Sequence, residues 1–124
     1  MMSPVISEAE AELLPLDLST MREGVDQLLA EGAEVPGDED LETLWLRLRG
    51  HVVLLIPEVE RQARRLPELD RARRSALACV AMSRLELRVG RGDTHLVRVS
   101  VAQRLARLVR TLCGHAELLK GATL

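Results

Sequence analysis

Leu41-Glu42-Thr43-Leu44-Trp45-Leu46-Arg47-Leu48-Arg49-Gly50-His51-Val52-Val53-Leu54-Leu55-Ile56-Pro57-Glu58-Val59 is the stretch that decides the fold. In it Leu41, Trp45, Leu48, Val52, Leu55 and Val59, continued by Leu66, recur at steps of three and four residues. That repeat gathers apolar side chains on one face of a helix and suits packing in a bundle. The segment Glu34-Val35-Pro36-Gly37-Asp38 just upstream reads as a loop, and the carboxylate of Asp38 or Asp40 can cap the helix, which should reach about Arg65. Pro57 lies inside the pattern without an N–H to donate, and its ring crowds the turn before it, which predicts a kink or break near residues 53–57.

Working outward, Thr20 and Glu23 form a capping box ahead of Met21, Val25, Leu28 and Leu29, so an earlier helix is expected over about 20–31, ended by Gly32. Before it, residues 1–17 read as an acidic arm in which Pro15 discourages a continuous helix. Downstream, Leu66-Pro67-Glu68 reads as a tight connection with Pro67 at a first helical position. The third helix, about 68–89, contains Ala76-Leu77-Ala78-Cys79-Val80-Ala81-Met82, apolar on all sides and so expected at the centre. Gly90-Arg91-Gly92-Asp93-Thr94 is the clearest loop, with Asp93 or Thr94 capping a last helix whose seam is Val97, Val101, Leu105, Leu108, Leu112 and Leu119. The expected fold is all-α: an antiparallel four-helix bundle over residues 18–124 with an acidic N-terminal arm over 1–17.

Composition agrees. The chain has 124 residues, with 47% hydrophobic and 29% charged, the balance of one globular domain. Trp45 is the only aromatic residue, so Leu, Val and Ala must build the core, a set that favours helices over strands. The longest apolar run falls well short of the roughly 18 residues that suggest a membrane span. The N-terminus lacks the basic region and apolar stretch of a signal peptide, so a cytoplasmic protein with reduced Cys79 and Cys113 is expected. Residues 1–42 hold twelve acids and one Arg, whereas residues 43–124 hold sixteen basic residues and seven acids, giving −11 and +9. Within one chain this asymmetry most simply means an acidic arm lying on a basic body; it also allows an anionic partner for the body.

Three constellations bear on function. Arg61, Arg64, Arg65, Arg71, Arg73 and Arg74 gather at the turn between the second and third helices and form the candidate partner surface. Arg71, Arg73 and Arg74 stand early in a helix, where the dipole gives cations nothing, so another interaction selects them. Binding of nucleic acid through these groups is the weaker reading, because the chain has no Phe or Tyr on which bases stack. Trp45 and His51 beside a kink at Pro57 form a candidate small-molecule pocket. His51, Cys79, Cys113 and His115 are metal-ligand types, but residues two apart on a helix diverge, so Cys113 and His115 do not share one ion. No metal or other cofactor is expected. No nucleophile stands beside a base, and there is no phosphate loop, dinucleotide loop or nucleophile elbow, so no catalytic residue is assigned.

The stretch Leu48-Arg49-Gly50-His51-Val52-Val53-Leu54-Leu55-Ile56-Pro57-Glu58-Val59-Glu60 resembles the signature of a small actinobacterial family of unknown function commonly labelled natural product biosynthesis protein. So do Thr20-Met21-Arg22-Glu23, Ala76-Leu77-Ala78-Cys79, and Ala102-Gln103-Arg104-Leu105-Ala106-Arg107 with Leu112-Cys113-Gly114-His115. The likeness covers about residues 18–119, and sixteen Arg against one Lys fits a GC-rich genome. It implies association with biosynthetic or regulatory gene clusters and transfers no catalytic residue. Gly114 stands where such proteins carry a polar residue, which weakens the expected continuity of the last helix.

Together these observations point to a non-catalytic accessory or regulatory module that self-associates or docks a protein partner. If the acidic arm covers the basic body, removing residues 1–17 uncovers it. Affinity chromatography on heparin should then show tighter retention with a steep salt dependence; equal retention of both forms means that the arm is no cover.

Overall fold

The computed structural model describes residues 16–122. It contains four helices, α1 (Leu18–Leu29), α2 (Asp38–Arg64), α3 (Arg71–Glu86) and α4 (His95–Ala122), and no strand among the described residues. Residues 1–15, most of the acidic arm, lie outside the described residues, as does its placement on the body.

α2 follows from its apolar seam. Leu41, Leu44, Leu48, Val52, Leu55, Val59 and Ala63 are buried along one face, and Trp45 is half-buried beside them. Gly37 stands at its N-cap position without a side-chain bond, so Asp38, Glu39 and Asp40 occupy the first turn instead of capping it. Their charges there complement the helix dipole. The expected break near 53–57 does not occur: α2 is one helix through Pro57. Pro57 and Val53 are both exposed, so the carbonyl that proline leaves without its helical donor has access to water.

The other boundaries also differ in instructive ways. Asp17, not Thr20, caps α1: its Oδ1 accepts from the Thr20 backbone N–H at 3.0 Å and its Oδ2 from the Thr20 hydroxyl at 2.6 Å. The helix therefore starts three residues earlier than a Thr20 cap implies, and half-buried Leu16 already packs on the core. Asp70 caps α3 by accepting from the backbone N–H groups of Ala72 (2.8 Å) and Arg73 (3.3 Å), so Pro67 belongs to the connection and not to the helix. Thr94 Oγ1 accepts from the Val97 N–H at 3.2 Å at the start of α4. Gly114 does not interrupt α4.

Gly92 is required where it stands: its φ is +97°, and a Cβ there would lie 2.6 Å from a Val97 methyl carbon. The loop it shapes is tied to α2 by an ion pair from Arg91 to Glu42 and by a hydrogen bond between His95 Nδ1 and Asp38 (2.6 Å). The start of α4 thus lies beside the start of α2, and the two long helices run parallel. They share the largest interface, built on the α4 side by Leu105, Val109, Leu112 and Leu119.

α1 and α3 run antiparallel to this pair and flank it on opposite sides. Arg22 of α1 pairs with Glu117 of α4, and Gly24 of α1 sits over Leu44, Arg47 and Leu48 of α2. On the other side, Arg84 of α3 chelates Glu60 of α2 (3.0 and 3.1 Å), and Arg104 of α4 reaches Glu86 of α3 (2.9 Å). Consecutive helices are antiparallel, as a bundle requires.

The expectation that α3 is central is overturned. Only Ala76, Val80 and Ser83 of α3 are buried. Ala78, Ala81, Met82 and Leu85 face outward, Met82 and Leu85 at 60% and 57% exposure. Ser83 is accommodated in the interior because its hydroxyl donates to the Cys79 carbonyl at 2.8 Å.

Two substitutions test the local account. Asp70→Ala removes the α3 cap and should cost about 1 kcal/mol. Gly114→Ala, at an exposed helix position where a Cβ meets nothing within 4 Å, should gain about 1 kcal/mol. Urea unfolding monitored by circular dichroism reads both, and opposite signs are expected.

Candidate functional site

The residues expected to form a pocket diverge. Trp45, His51 and Pro57 are spaced by six residues, and at 3.6 residues per turn each step rotates about 240°, so the three point to three different faces of α2. Trp45 is half-buried against the core and carries the Arg49 guanidinium over its ring at 5.8 Å. Its indole N–H is buried without an acceptor among the described residues. The cavity beside it, about 270 Å³, is framed by Asp38, Leu41, Glu42, Arg91 and Arg98 at the start of α2. Neither His51 nor Pro57 lines it.

His51 is half-buried, with its Nε2 enclosed and unpartnered. Burial, and then the nearby Arg47 charge, push its pKa below the ordinary imidazole value. Burial lowers His115 in the same way. The Cys79 and Cys113 thiols are pushed up by burial, away from the reactive thiolate. No group of three or more His, Cys, Asp or Glu among the described residues is arranged to hold a metal ion.

The arginines at the α2–α3 turn do come together, but they act differently from one another. Arg73 donates to the Leu66 carbonyl at 2.9 Å and so ties α3 to the end of the preceding connection. That bond explains a cation early in a helix. Arg61 pairs with Glu58, and Arg64 approaches Glu60 at 3.6 Å. Arg65, Arg71 and Arg74 are exposed. Among the described residues no ion pair engages Arg71 or Arg74. Exposed pairs of this kind each contribute about 0–1 kcal/mol, so the cluster shapes the surface charge more than the stability.

The surface that sequence reading missed is apolar. Arg49, whose guanidinium donates to the Leu87 carbonyl at 2.6 Å, and Glu60, which holds Arg84, mark the side of α2 that touches α3. One step further from the core lie Leu46 and Val53, 56% and 50% exposed; Leu54 follows Arg47 by seven residues and so lies on the other side of α2, toward α1. On α3 the same step past Arg84 meets Ala81, Leu85 and Ala78, all exposed. Both rows lie beyond the α2–α3 contact as one moves away from the core, so they share one outer face. The signal was present in the sequence: the run Ala76 to Met82 of α3 is apolar all round, and an edge helix with such a run carries an apolar outer face.

The two depressed histidines give a pH dependence with a definite sign. Their folded pKa values lie below the unfolded value near 6.5, so the unfolded chain binds more protons as the pH falls. This contribution is complete above about pH 7 and is lost as the pH drops through 6.5 toward the folded values. The thermal midpoint should therefore fall between pH 7.5 and pH 5.5, and a His51→Gln/His115→Gln double variant should flatten that fall. An equally steep fall in the variant places its cause elsewhere.

No helix of the described residues is long and apolar enough to cross a membrane. No curated protein matches the chain. No solved structure matches it either. A model for a family of unknown function (DUF6415) matches residues 19–121, a range that takes in all of α2 and α3 and nearly all of α1 and α4. The chain belongs to this family of unknown function.

Proposed function

We propose that the chain is a non-catalytic accessory or regulatory module that works by docking protein on the outer face of α2 and α3, in the cytoplasm and in the service of actinobacterial natural product biosynthesis. The observation that carries the reading is the row of Leu46 and Val53 beside Ala78, Ala81 and Leu85, in water on the described chain. Large contiguous apolar surface of this kind ordinarily marks an interaction site, and a helix face lying in an apolar groove is a common mode of recognition. Thiols pushed up by burial support the non-catalytic part, since neither Cys79 nor Cys113 is an activated thiolate nucleophile at neutral pH. The biosynthetic setting rests on the sequence resemblance alone.

The test is a photo-crosslinking residue placed in the native cell at position 53 or 85, with exposed position 110 of α4 as control. Discrete protein adducts are expected at 53 and 85 and not at 110. If all three positions behave alike, the face is ordinary surface and the reading fails.

A further inference from the structure

Resting on the reading that this face docks protein, we infer that the occupant is a second copy of the same chain. The two α2–α3 faces pack antiparallel about a two-fold axis that crosses α2 near Gly50. A face can bind its own copy in this way when it is self-complementary under rotation, and three features of this one meet the condition.

The first is charge. Glu39, Leu46 and Val53 follow one another at seven-residue steps along α2, so one line on its outer side begins with an acid and continues apolar. On α3, Arg74 precedes Ala78, Ala81 and Leu85 at steps of four, three and four, so that line begins with a cation at the opposite end of the face. Glu39 and Arg74 are exposed, and neither has an ion pair among the described residues. Rotation by two-fold symmetry sets each Arg74 against the Glu39 of the other copy, twice per dimer, with the apolar rows between them. Arg71 adds positive charge at the same end, while at the other end Asp38 and Glu42 already face His95, Arg98 and Arg91 of their own chain, which leaves Glu39 as the acid open to a partner.

The second is area. The five apolar side chains leave on the order of 400 Å² in water, within the roughly 300–600 Å² of the largest patch on a soluble monomer. That is about half of the roughly 800 Å² per partner that a specific interface requires, and the charged residues at both ends supply the remainder. The third is Gly50, which stands midway along the face, exposed, where a Cβ would meet nothing within 4 Å. Glycine inside a helix costs stability, and no contact within the chain calls for it. At a two-fold axis it lets two helix backbones approach closely.

Sedimentation velocity on the purified full chain should give the mass of two chains at high micromolar concentration. Gly50→Glu places two like charges at the axis while replacing glycine with a better helix former, so it should shift the equilibrium to monomer at least tenfold with helicity kept or raised. Arg74→Glu and Glu39→Arg should each weaken the dimer about tenfold, and an equimolar mixture of the two should restore it as a heterodimer, because only antiparallel pairing then opposes unlike charges twice. A monomeric wild-type chain overturns the inference, as does a dimer indifferent to these changes. If the wild type is monomeric yet positions 53 and 85 still capture a different protein in the cell, this inference fails and the docking reading stands; if no adduct forms either, both fail.

Discussion

The parallel packing of α2 on α4 is the constraint on which the rest of the structure depends. Each of these helices presents a long unbroken seam, Leu41 to Ala63 on one and Val101 to Leu119 on the other. Two long apolar seams of this kind must cover one another or remain in water. Once they are paired, two grooves remain, one on each side, and α1 and α3 fill them. The parallel sense is fixed at one end, where Asp38 receives His95 and approaches Arg98 at 3.8 Å, and where Glu42 receives Arg91. These exposed pairs are individually weak; their role is to fix which end of α4 meets which end of α2, while burial supplies the stability.

α3 is the element whose position sequence reading misjudged. Periodicity reports which faces of a helix are apolar, but not which apolar face is covered within the chain. The run Ala76 to Met82 satisfies a central position and an edge position with an interface equally well. What decides is competition for the groove: α2 and α4 have larger, Leu-rich and Val-rich seams, and α3 offers Ala76, Val80 and Ser83 as its buried set. Small side chains permit close approach but bury less area per residue, so α3 takes the flank.

Other features were readable to different depths for physical reasons. The helix count and the α2 seam were legible because the apolar repeat and the Gly and Pro punctuation are both local. The start of α1 was not, because Asp17 and Thr20 are equally good capping residues and only the completed first turn selects between them. Gly114 was over-read, and so was Pro57 as a break: each lies on an exposed part of its helix, where a neighbouring seam holds the helix together despite a weak residue. The proposed pocket failed on geometry already available in the numbering, since residues six apart on a helix do not share a face. Arg73 shows the reverse case, a residue flagged by its unfavourable place near a helix start whose reason, the Leu66 carbonyl, appears only when the connection folds back.

The charge asymmetry of the chain takes a specific form in the fold. Because α2 is long and α3 returns antiparallel beside it, Glu39 and the exposed Arg71 and Arg74 stand at opposite ends of one hairpin, on the order of 35 Å apart by the helical rise. That distance is several Debye lengths at physiological ionic strength, so the two ends of one chain scarcely attract each other. The separation therefore contributes little to the fold of a single molecule. It acts between molecules, where an antiparallel approach brings opposite ends within contact distance and a parallel approach sets like charges together. A hairpin with an apolar middle and oppositely charged ends thus selects the direction in which it is approached, and directional selection is what charge supplies to an interface whose affinity comes from apolar burial.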